Sequence, residues 1–340
     1  MKKKLISIVK YIIFLIVGVG LLWLVFRKQD FNKVIIEFQN ANYFWIFLSI
    51  IAGILSHISR ALRWNLLISS IGYKTKTSTT FFAVMIGYFA SMAIPRIGEI
   101  TRSGIVSKSN KIPLNAVIGT VVAERVFDMF CLIILIIATI AFQFAFLKDF
   151  LSKMVIDPLF SKFSFNFTSI FLLIFGLVIF ILLFYFGLKL LIRKLRKRTF
   201  FYKLKRLIVG FICGIKSIKR LRNKGLFLFH TVFIWTMYVL MLYLCFFSIN
   251  STSDLTFIDA ITITVIGAIG MVAPVPGGIG AYHFIVTITL VELFNIVQES
   301  AASLAIIVHE SQAVMMIVLG VISLALIFFS NKKKLENEKF

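Results

Sequence analysis

The sequence predicts an all-α polytopic membrane protein with about six full spans and two re-entrant broken-helix hairpins, and composition gives the first reason. Of the 340 residues, 60% are hydrophobic and only 15% are charged, with a mean hydropathy of +0.98. Soluble domains carry about 45–50% apolar and about 25% charged residues. The second reason is that several apolar runs reach or approach the roughly 20 residues that cross a bilayer core as a helix. The third is that proline and glycine interrupt this apolar sequence at two corresponding places.

Six apolar runs are assigned as full crossings of the membrane. They are residues 8–26, 43–59, 113–147, 169–188, 226–249 and 301–329. The first follows a Met-Lys-Lys-Lys start, but no small-residue cleavage site follows it, so we interpret it as an uncleaved span; a cleaved signal peptide is the alternative. The third would cover about 52 Å as one helix. Either its first turns lie at the interface or the helix is broken.

The net charge of +23 indicates how the chain is oriented in the membrane. Cytoplasmic loops are rich in Lys and Arg and face anionic lipid, so the surplus predicts membrane topology and no nucleic-acid partner. The cations at 2–4 and 332–334 place both termini in the cytoplasm. Arg60, Arg63, Lys74 and Lys76 are expected to have no acidic partner, which places the end of the second span in the cytoplasm too. We treat residues 1–340 as a single integral-membrane domain.

The densest basic segment is the predicted cytoplasmic loop 189–225. Its many cations are not accompanied by a single acidic residue, and it contains an apolar stretch at 207–218. This pattern is typical of an interfacial amphipathic helix on the anionic cytoplasmic leaflet. A solvated basic loop is the alternative.

Two apolar segments of 14 residues, 81–94 and 260–273, are too short for a full crossing. As helices they would cover about 21 Å of the roughly 30 Å core. The first runs into Pro95–Arg102 and the second into the Pro/Gly stretch Val272–His283. Proline blocks helix continuation and glycine opens unusual backbone conformations. Both segments therefore predict re-entrant hairpins; a count of eight full spans is the alternative.

The two breaks also predict an inverted repeat. When Ser91–Arg102 is aligned with Gly270–Ala281, four positions are identical, namely Met92/Met271, Pro95/Pro274, Gly98/Gly277 and Ile100/Ile279. The predicted topology lets the first hairpin enter from the cytoplasm and the second from outside. Corresponding broken helices of opposite orientation are typical of transporters that bind substrate between the repeats.

Ionisable residues near the breaks are the candidate lipid headgroup-binding residues. Glu99 and Arg102 share a helix face, and so do Glu124 and Asp128. Arginine binds phosphate bidentately, and ionisable groups inside a membrane are costly and usually functional. The alternative is an ion-paired cytoplasmic rim. The full set is Arg96, Glu99, Arg102, Glu124, Arg125, Asp128 and Glu310, of which Glu310 would carry a proton or meet a basic headgroup.

A second set of residues is expected to shape the cavity through its backbone. Bare N–H groups before the helix that starts near Ala281 would attract an anion. This set is Pro95, Gly98, Pro274, Pro276, Gly277, Gly278, Gly280, Tyr282 and His283. His283 and His309 are more simply explained as structural histidines. Enzyme motifs such as HExxH, the P-loop and GxSxG are absent from the sequence, and we expect neither a metal nor a cofactor.

The order and spacing of several motifs resemble the lysylphosphatidylglycerol synthase transmembrane family, also called flippase-like domain proteins. The matching pieces are Arg60-Ala-Leu-Arg-Trp-Asn-Leu-Leu67, Ile86-Gly-Tyr-Phe-Ala-Ser91, Pro95-Arg-Ile-Gly-Glu99, Arg102, Ala123-Glu-Arg-Val-Phe-Asp128 and Pro274-Val-Pro-Gly-Gly-Ile-Gly280. The resemblance implies a bacterial or archaeal cytoplasmic-membrane protein whose relatives move lipids between leaflets. Aminoacylating members carry a further soluble C-terminal domain. This chain ends soon after its last span, so we do not expect lysyl transfer.

The sequence thus predicts a lipid translocase for a phospholipid or a lipid-linked headgroup. One alternative is a membrane-embedded enzyme on lipid or lipid-linked sugar, with Glu99, Glu124 or Asp128 as acid or base. Another is an accessory subunit of a cell-envelope glycosyltransferase complex, docked through the basic loop. The expected partners are membrane phospholipid, the anionic leaflet and, in the last case, a cell-envelope enzyme.

Overall fold

The computed structural model describes residues 18–25, 27, 31–95, 97–143, 221–273 and 275–337. These parts are helical, with no strand among them, which confirms the all-α prediction. The helices are α1 (18–25), α2 (Phe31–Asn40), α3 (Tyr43–Ser70), α4 (Thr77–Ala93), α5 (Gly98–Asn110), α6 (Leu114–Phe142), α7 (Lys224–Phe246), α8 (Phe257–Val272), α9 (Ala281–Phe294) and α10 (Gln298–Asn337). The predicted span 169–188 and the basic loop up to residue 220 lie outside the described residues.

Local sequence signals set the ends of these helices. The Asn42 side chain accepts the Phe44 N–H at 3.1 Å and so caps the start of α3. Thr256 and Asp259 form a reciprocal capping box at the start of α8. At the end of α4, Ile94 is extended (φ −133°, ψ 118°), because the residue before a proline avoids the helical region. The first break therefore begins where Pro95 requires it.

The long helix α6 is continuous over its 29 residues. It is therefore not broken, and this removes one of the two possibilities that the sequence left open. Glu124, Arg125 and Asp128 lie in its middle turns, between two apolar halves. The second predicted span is also longer than expected, because α3 continues as a regular helix through Arg60 to Ser70.

Five stretches of the described chain are long and apolar enough to cross a membrane. They are Tyr43–Ser70, Leu114–Phe142, Lys224–Phe246, Pro276–Phe294 and Gln298–Phe329. The shorter apolar helices are α4 and α8, the first arms of the two predicted hairpins. The chain is accordingly a multi-pass membrane protein. The re-entrant course of the hairpins and the orientation of the termini stay predictions.

In each hairpin a glycine of the first arm lies close to the backbone that follows the break. In the first, α4 packs against α5, and a Cβ added at Gly87 would lie 2.9 Å from the Gly98 carbonyl oxygen. In the second, α8 packs against α9, and a Cβ added at Gly270 would lie 3.2 Å from the Ala281 carbonyl oxygen. Each hairpin thus uses a glycine to bring its first arm against the backbone that follows the break. The two glycines are not equivalent in the predicted alignment, which pairs Gly270 with Ser91, so the inverted repeat stays a prediction.

The described residues form two hydrophobic cores, each built around one hairpin. One surrounds the first hairpin and joins the end of α3 to α4, α5 and α6, with Trp64, Met85 and Val106 fully buried. The other surrounds the second hairpin and joins the end of α7 to α8, α9 and α10, with Ile263 and Leu304 fully buried. Residues of both cores, Tyr88 in the first and Val308 in the second, also line the candidate site.

Candidate functional site

Glu124 of α6 is the centre of a buried charge cluster. Its side chain is 0% exposed and accepts hydrogen bonds from three arginines on three different helices. Arg60 Nη1 of α3 and Arg125 Nη2 of α6 each lie 2.8 Å from Oε1, and Arg102 Nη1 of α5 lies 3.1 Å from Oε2. A fourth guanidinium, Arg63 of α3, approaches Oε1 to 3.5 Å. Glu124 thus joins α6 to the preceding helix α5 and to α3, which is more than sixty positions away in the sequence.

Asp128 extends the cluster by one helical turn. Arg63 Nη2 donates to its Oδ1 at 2.6 Å, and Arg60 Nη2 lies 3.3 Å from its Oδ2. Arg125 reaches the same Oδ2 at 3.2 Å, which makes an i,i+3 ion pair along α6. Arg60 and Arg125 therefore bridge both carboxylates, while Arg63 links Asp128 to α3.

The cluster carries a surplus of positive charge. Four arginines face the two buried carboxylates, and the only further acid in the described contacts is Glu99, whose half-exposed side chain lies 3.5 Å from Arg125 Nε. At least one guanidinium charge is therefore uncompensated within these contacts. A buried charge is costly unless an opposite charge accompanies it. An anion beside the cluster would supply that partner.

Neutral side chains fix the geometry of the arginines. The guanidinium of Arg102 lies over the Trp64 ring, 4.8 Å from its centroid, and the Trp64 Nε1–H donates to Thr120 Oγ1 at 2.9 Å. Arg60 Nη2 also donates to the Tyr238 hydroxyl oxygen at 2.8 Å. Arginine stacked on an aromatic face and bonded at its edge keeps a fixed orientation. The arginines are thus held in place before any ligand binds.

A cavity of about 430 Å³ opens beside the cluster. Arg60, Arg125 and Asp128 form its charged wall, and most of the remaining wall is apolar. The two breaks also reach it, through Met92 before the first and Gly277 within the second. A cavity of this volume lies in the range of ligand pockets. It lies between the hairpins, where the sequence predicted a binding cavity.

Six buried polar atoms of residues that line the cavity have no hydrogen-bond partner among the described residues. They are His57 Nδ1, Arg60 Nε, Arg125 Nε, Trp235 Nε1, Thr264 Oγ1 and Gln312 Oε1. Buried polar groups are nearly always paired, since an unpaired one costs about 1–3 kcal/mol. These atoms are therefore available to a polar ligand in the cavity.

The second break is a tight turn in which glycine is required. Gly277, Gly278 and Gly280 have φ of 61°, 78° and 86°, in the left-handed region. A Cβ at Gly280 would collide with the carbonyl oxygen of Gly18 on α1, and a Cβ at Gly277 would lie 2.9 Å from Met92 Sδ. The two breaks thus meet at Met92 and Gly277.

A second polar group lies next to this break. His309 of α10 lies in the cavity wall, and its Nε2 is 2.9 Å from the Gly277 carbonyl oxygen. Its Nδ1 is 2.9 Å from Glu310 Oε1, and His283 Nε2 lies 3.5 Å from the same oxygen. The other ring nitrogen of His283 accepts the Gly280 N–H at 3.3 Å. Both histidines are thus tied to the backbone of the break.

The structure places the predicted site residues in the cavity lining, behind its charged wall, or in and beside the two breaks. Arg125, Asp128, Gly277 and Tyr282 line it, and Arg102 and Glu124 lie behind its charged wall. Glu99 contacts Arg125 and not Arg102, which turns towards Glu124. Pro95, Gly98, Pro276, Gly278 and Gly280 form the breaks, and His283 and Glu310 adjoin the second. Arg96 and Pro274 lie outside the described residues.

Two residues of the cluster were misjudged from the sequence. Arg60 and Arg63 were expected to lack an acidic partner, which is wrong, since α6 brings Glu124 and Asp128 to both. The partners lie more than sixty positions away, beyond the range of a neighbour search. Arg60 and Arg63 are three positions apart on an apolar helix and so share one face, and this spacing was the sequence feature that indicated buried acidic partners.

These features define a multi-pass membrane protein with a charged cavity between its helices. The family model described as "Lysylphosphatidylglycerol synthase TM region" matches residues 8–320, and the chain belongs to this family, as the resemblance predicted. The UPF0104 membrane protein MJ1595 of Methanocaldococcus jannaschii is 30% identical over 126 residues. That alignment covers 36% of this chain and 38% of the relative, so well under two thirds of the relative's length is matched. No solved structure matches the chain.

Proposed function

We propose that this protein translocates lipids with an anionic, phosphate-bearing headgroup between the two leaflets of its membrane. The surplus positive charge of the Glu124 cluster, next to a cavity that both hairpins line, is the observation that carries the proposal. Phosphate matches both the charge and the bidentate geometry that arginine offers.

The wall residues divide into headgroup ligands and supports. Arg125 is the first ligand, because its side chain is 41% exposed and lines the cavity. Arg60 is the second, because it lines the same wall although its side chain is almost fully buried. Arg63 and Arg102 lie behind this wall and hold the two carboxylates in position. The apolar remainder of the cavity accommodates the glycerol region and the start of the acyl chains.

The same contacts argue against Glu124 and Asp128 as the acid or base of the enzyme alternative. An acid or base catalyst needs a carboxyl group that is free to exchange a proton with substrate. Both oxygens of Glu124 accept arginine hydrogen bonds, and both oxygens of Asp128 lie within 3.3 Å of an arginine. Such contacts keep carboxylates ionised and occupied. The cluster is thus better suited to hold an anion than to transfer a proton.

We further propose the setting in which this activity takes place. The membrane is the cytoplasmic membrane of a bacterium or archaeon, with both termini in the cytoplasm. The basic loop 189–225 faces the anionic cytoplasmic leaflet, where lysine and arginine each contribute roughly 1 kcal/mol of attraction. A cell-envelope enzyme that supplies or receives the lipid would bind to the same loop.

Translocation by purified protein in phosphatidylcholine vesicles tests the proposal. The vesicles hold a trace of fluorescently labelled phosphatidylglycerol, and a membrane-impermeant quencher reports how fast the label exchanges between leaflets. We expect exchange by the wild type and at least a tenfold slower rate for Arg125→Gln, because hydrogen bonds to charged groups contribute about 1.5–3 kcal/mol.

Two variants serve as controls. Arg125→Lys keeps the charge but loses the bidentate geometry, so an intermediate rate is expected. Lys74→Gln removes one positive charge from an exposed loop and should exchange lipid at the wild-type rate. Equal rates for wild type and Arg125→Gln, in folded protein, would refute the role of the cluster.

A further inference from the structure

The group His283, His309 and Glu310 lies beside the second break, away from the arginine cluster, and the lipid-binding role does not account for it. One atom of each residue approaches the others within 4.8 Å. His309 and His283 are buried, whereas the Glu310 side chain is 45% exposed. Glu310 thus reaches the surface, and His309 reaches the cavity.

The hydrogen-bond partners of His309 determine how many protons the His309–Glu310 pair needs. Its Nε2 is within bonding distance of the Gly277 carbonyl oxygen, which can only accept. Its Nδ1 is within bonding distance of Glu310 Oε1. A neutral imidazole has one N–H and cannot donate to both. Both contacts therefore require one additional proton, either as imidazolium with carboxylate or as imidazole with a protonated carboxyl group.

A divalent metal ion would fit this group poorly. His283 Nδ1 accepts the Gly280 N–H, so the ring carries its own hydrogen on Nε2, which is the nitrogen that faces Glu310. A metal-bound histidine instead donates its second ring nitrogen to an acceptor and offers a lone pair to the metal. His283 thus donates towards Glu310, which suits a carboxylate that exchanges a proton.

Other titratable or charged groups surround the pair. Tyr282 and His283 of α9 are in ring contact with His309, at centroid distances of 5.1 Å and 4.7 Å. On α2, Lys33 and Glu37 contact the first turn of α10, which is roughly 15 Å along that helix from Glu310. The further titratable or charged residues that line the same cavity as His309 are His57, Arg60, Tyr88, Arg125, Asp128 and Tyr238.

We propose that the His309–Glu310 pair binds a proton that crosses the membrane together with the anionic lipid. The inference rests on the proposed function, since it assigns the coupling ion of the same cavity. An anion held by Arg60 and Arg125 and a proton held at His309 occupy two walls of one cavity. The two charges are opposite in sign and attract each other, so the bound anion favours binding of the proton and the proton favours binding of the anion.

The second break links the proton on the His309–Glu310 pair to the backbone of the cavity wall. When the pair loses its proton, His309 keeps one N–H and can serve either Gly277 or Glu310, but not both. One of the two contacts at 2.9 Å is then lost. The proton therefore helps to hold the break against α10, and its release frees a turn that already requires three left-handed glycines.

A spectroscopic experiment tests the proton site without transport. Protein in phosphatidylcholine nanodiscs, labelled with ¹⁵N-histidine and ¹³C-glutamate, is examined by NMR at neutral pH, with Glu310→Gln to assign the Glu310 signal. The expected result is one proton on the pair beyond a neutral imidazole and a carboxylate. A neutral His309 ring with an ionised Glu310 would overturn the inference.

A transport experiment tests the coupling. The labelled phosphatidylglycerol vesicles carry a pH difference of one unit, and the steady-state distribution of label between leaflets is measured. A lipid anion that moves with one proton accumulates on the alkaline side, up to about tenfold for one pH unit. Because the two charges cancel, a potassium diffusion potential should not change this distribution.

Two variants separate the possible outcomes. Glu310→Gln should abolish the accumulation ratio, whereas Glu292→Gln, an exposed carboxyl on α9, should keep it. If the wild type exchanges lipid but distributes it evenly under the gradient, the coupling is refuted and the translocase stands. If the wild type exchanges no lipid, both the translocase and the coupling fail.

Discussion

Neutralising Glu124 is the strongest single test of the buried cluster. Glu124→Gln keeps the size of the side chain but leaves Arg60, Arg102 and Arg125, each within 3.1 Å of it, without their shared carboxylate. Removing one partner from a fully buried ion pair destabilises a protein by about 3–5 kcal/mol. Four guanidiniums approach this one residue, so we expect a loss at the upper end of that range.

Reversible unfolding in mixed micelles, followed by circular dichroism as denaturing detergent is added, measures the difference. The matched control is Glu99→Gln, which removes a half-exposed carboxyl with one contact at 3.5 Å, and it should change stability by about 0–1 kcal/mol. In the double variant Glu124→Gln, Arg102→Gln, one charge of each sign is lost, so the destabilisation should be smaller than the sum of the single changes. If Glu124→Gln is no more destabilising than Glu99→Gln, the cluster does not hold α3, α5 and α6 together.

Three further predictions concern packing around the site. Gly98→Ala should destabilise the fold and slow lipid exchange, because its Cβ would collide with the carbonyl oxygen of residue 87. The matched control is Gly104→Ala on the same helix, whose Cβ meets no atom within 4 Å. This control should be neutral or should stabilise the fold by up to about 1 kcal/mol. Gly280→Ala should abolish exchange, since it combines a φ of 86° with a collision against α1; wild-type exchange would contradict the described turn. Trp64→Phe should cost about 1–3 kcal/mol of stability in the same detergent titration, as it removes the bond to Thr120, and an unchanged midpoint would count against that bond.

The fold followed closely from the sequence, because its signals are local. Apolar runs predicted the helices, and Pro95 and the glycines of the second break predicted where helices are interrupted. The length of α6 could not be decided, since charged residues in the middle of an apolar run fit either a broken helix or a continuous one with buried partners. The charged partners of these α6 residues come from α3 and α5, which only tertiary structure brings near.

The site was predicted in part for the same reason. Glu124, Arg125 and Asp128 stand out as ionisable residues within an apolar region, and their place beside a cavity was foreseeable. Arg60 and Arg63 precede basic Lys74 and Lys76 and so gave the pattern of a cytoplasmic helix end. The net charge of a segment records only which charges are neighbours in sequence, and these two arginines contact their carboxylate partners across the fold, on α6.

The polar contacts that join the two hairpins to their neighbouring helices differ in strength, and this difference has a consequence for movement. The first hairpin is joined to α6 through the buried Arg102–Glu124 ion pair, and separating them would cost about 3–5 kcal/mol. The second is joined to α10 through hydrogen bonds such as His309 to Gly277, which contribute about 0.5–3 kcal/mol each. If the cavity opens alternately to the two leaflets, the first hairpin with α3 and α6 acts as a stationary frame. The second hairpin is then the element that rocks.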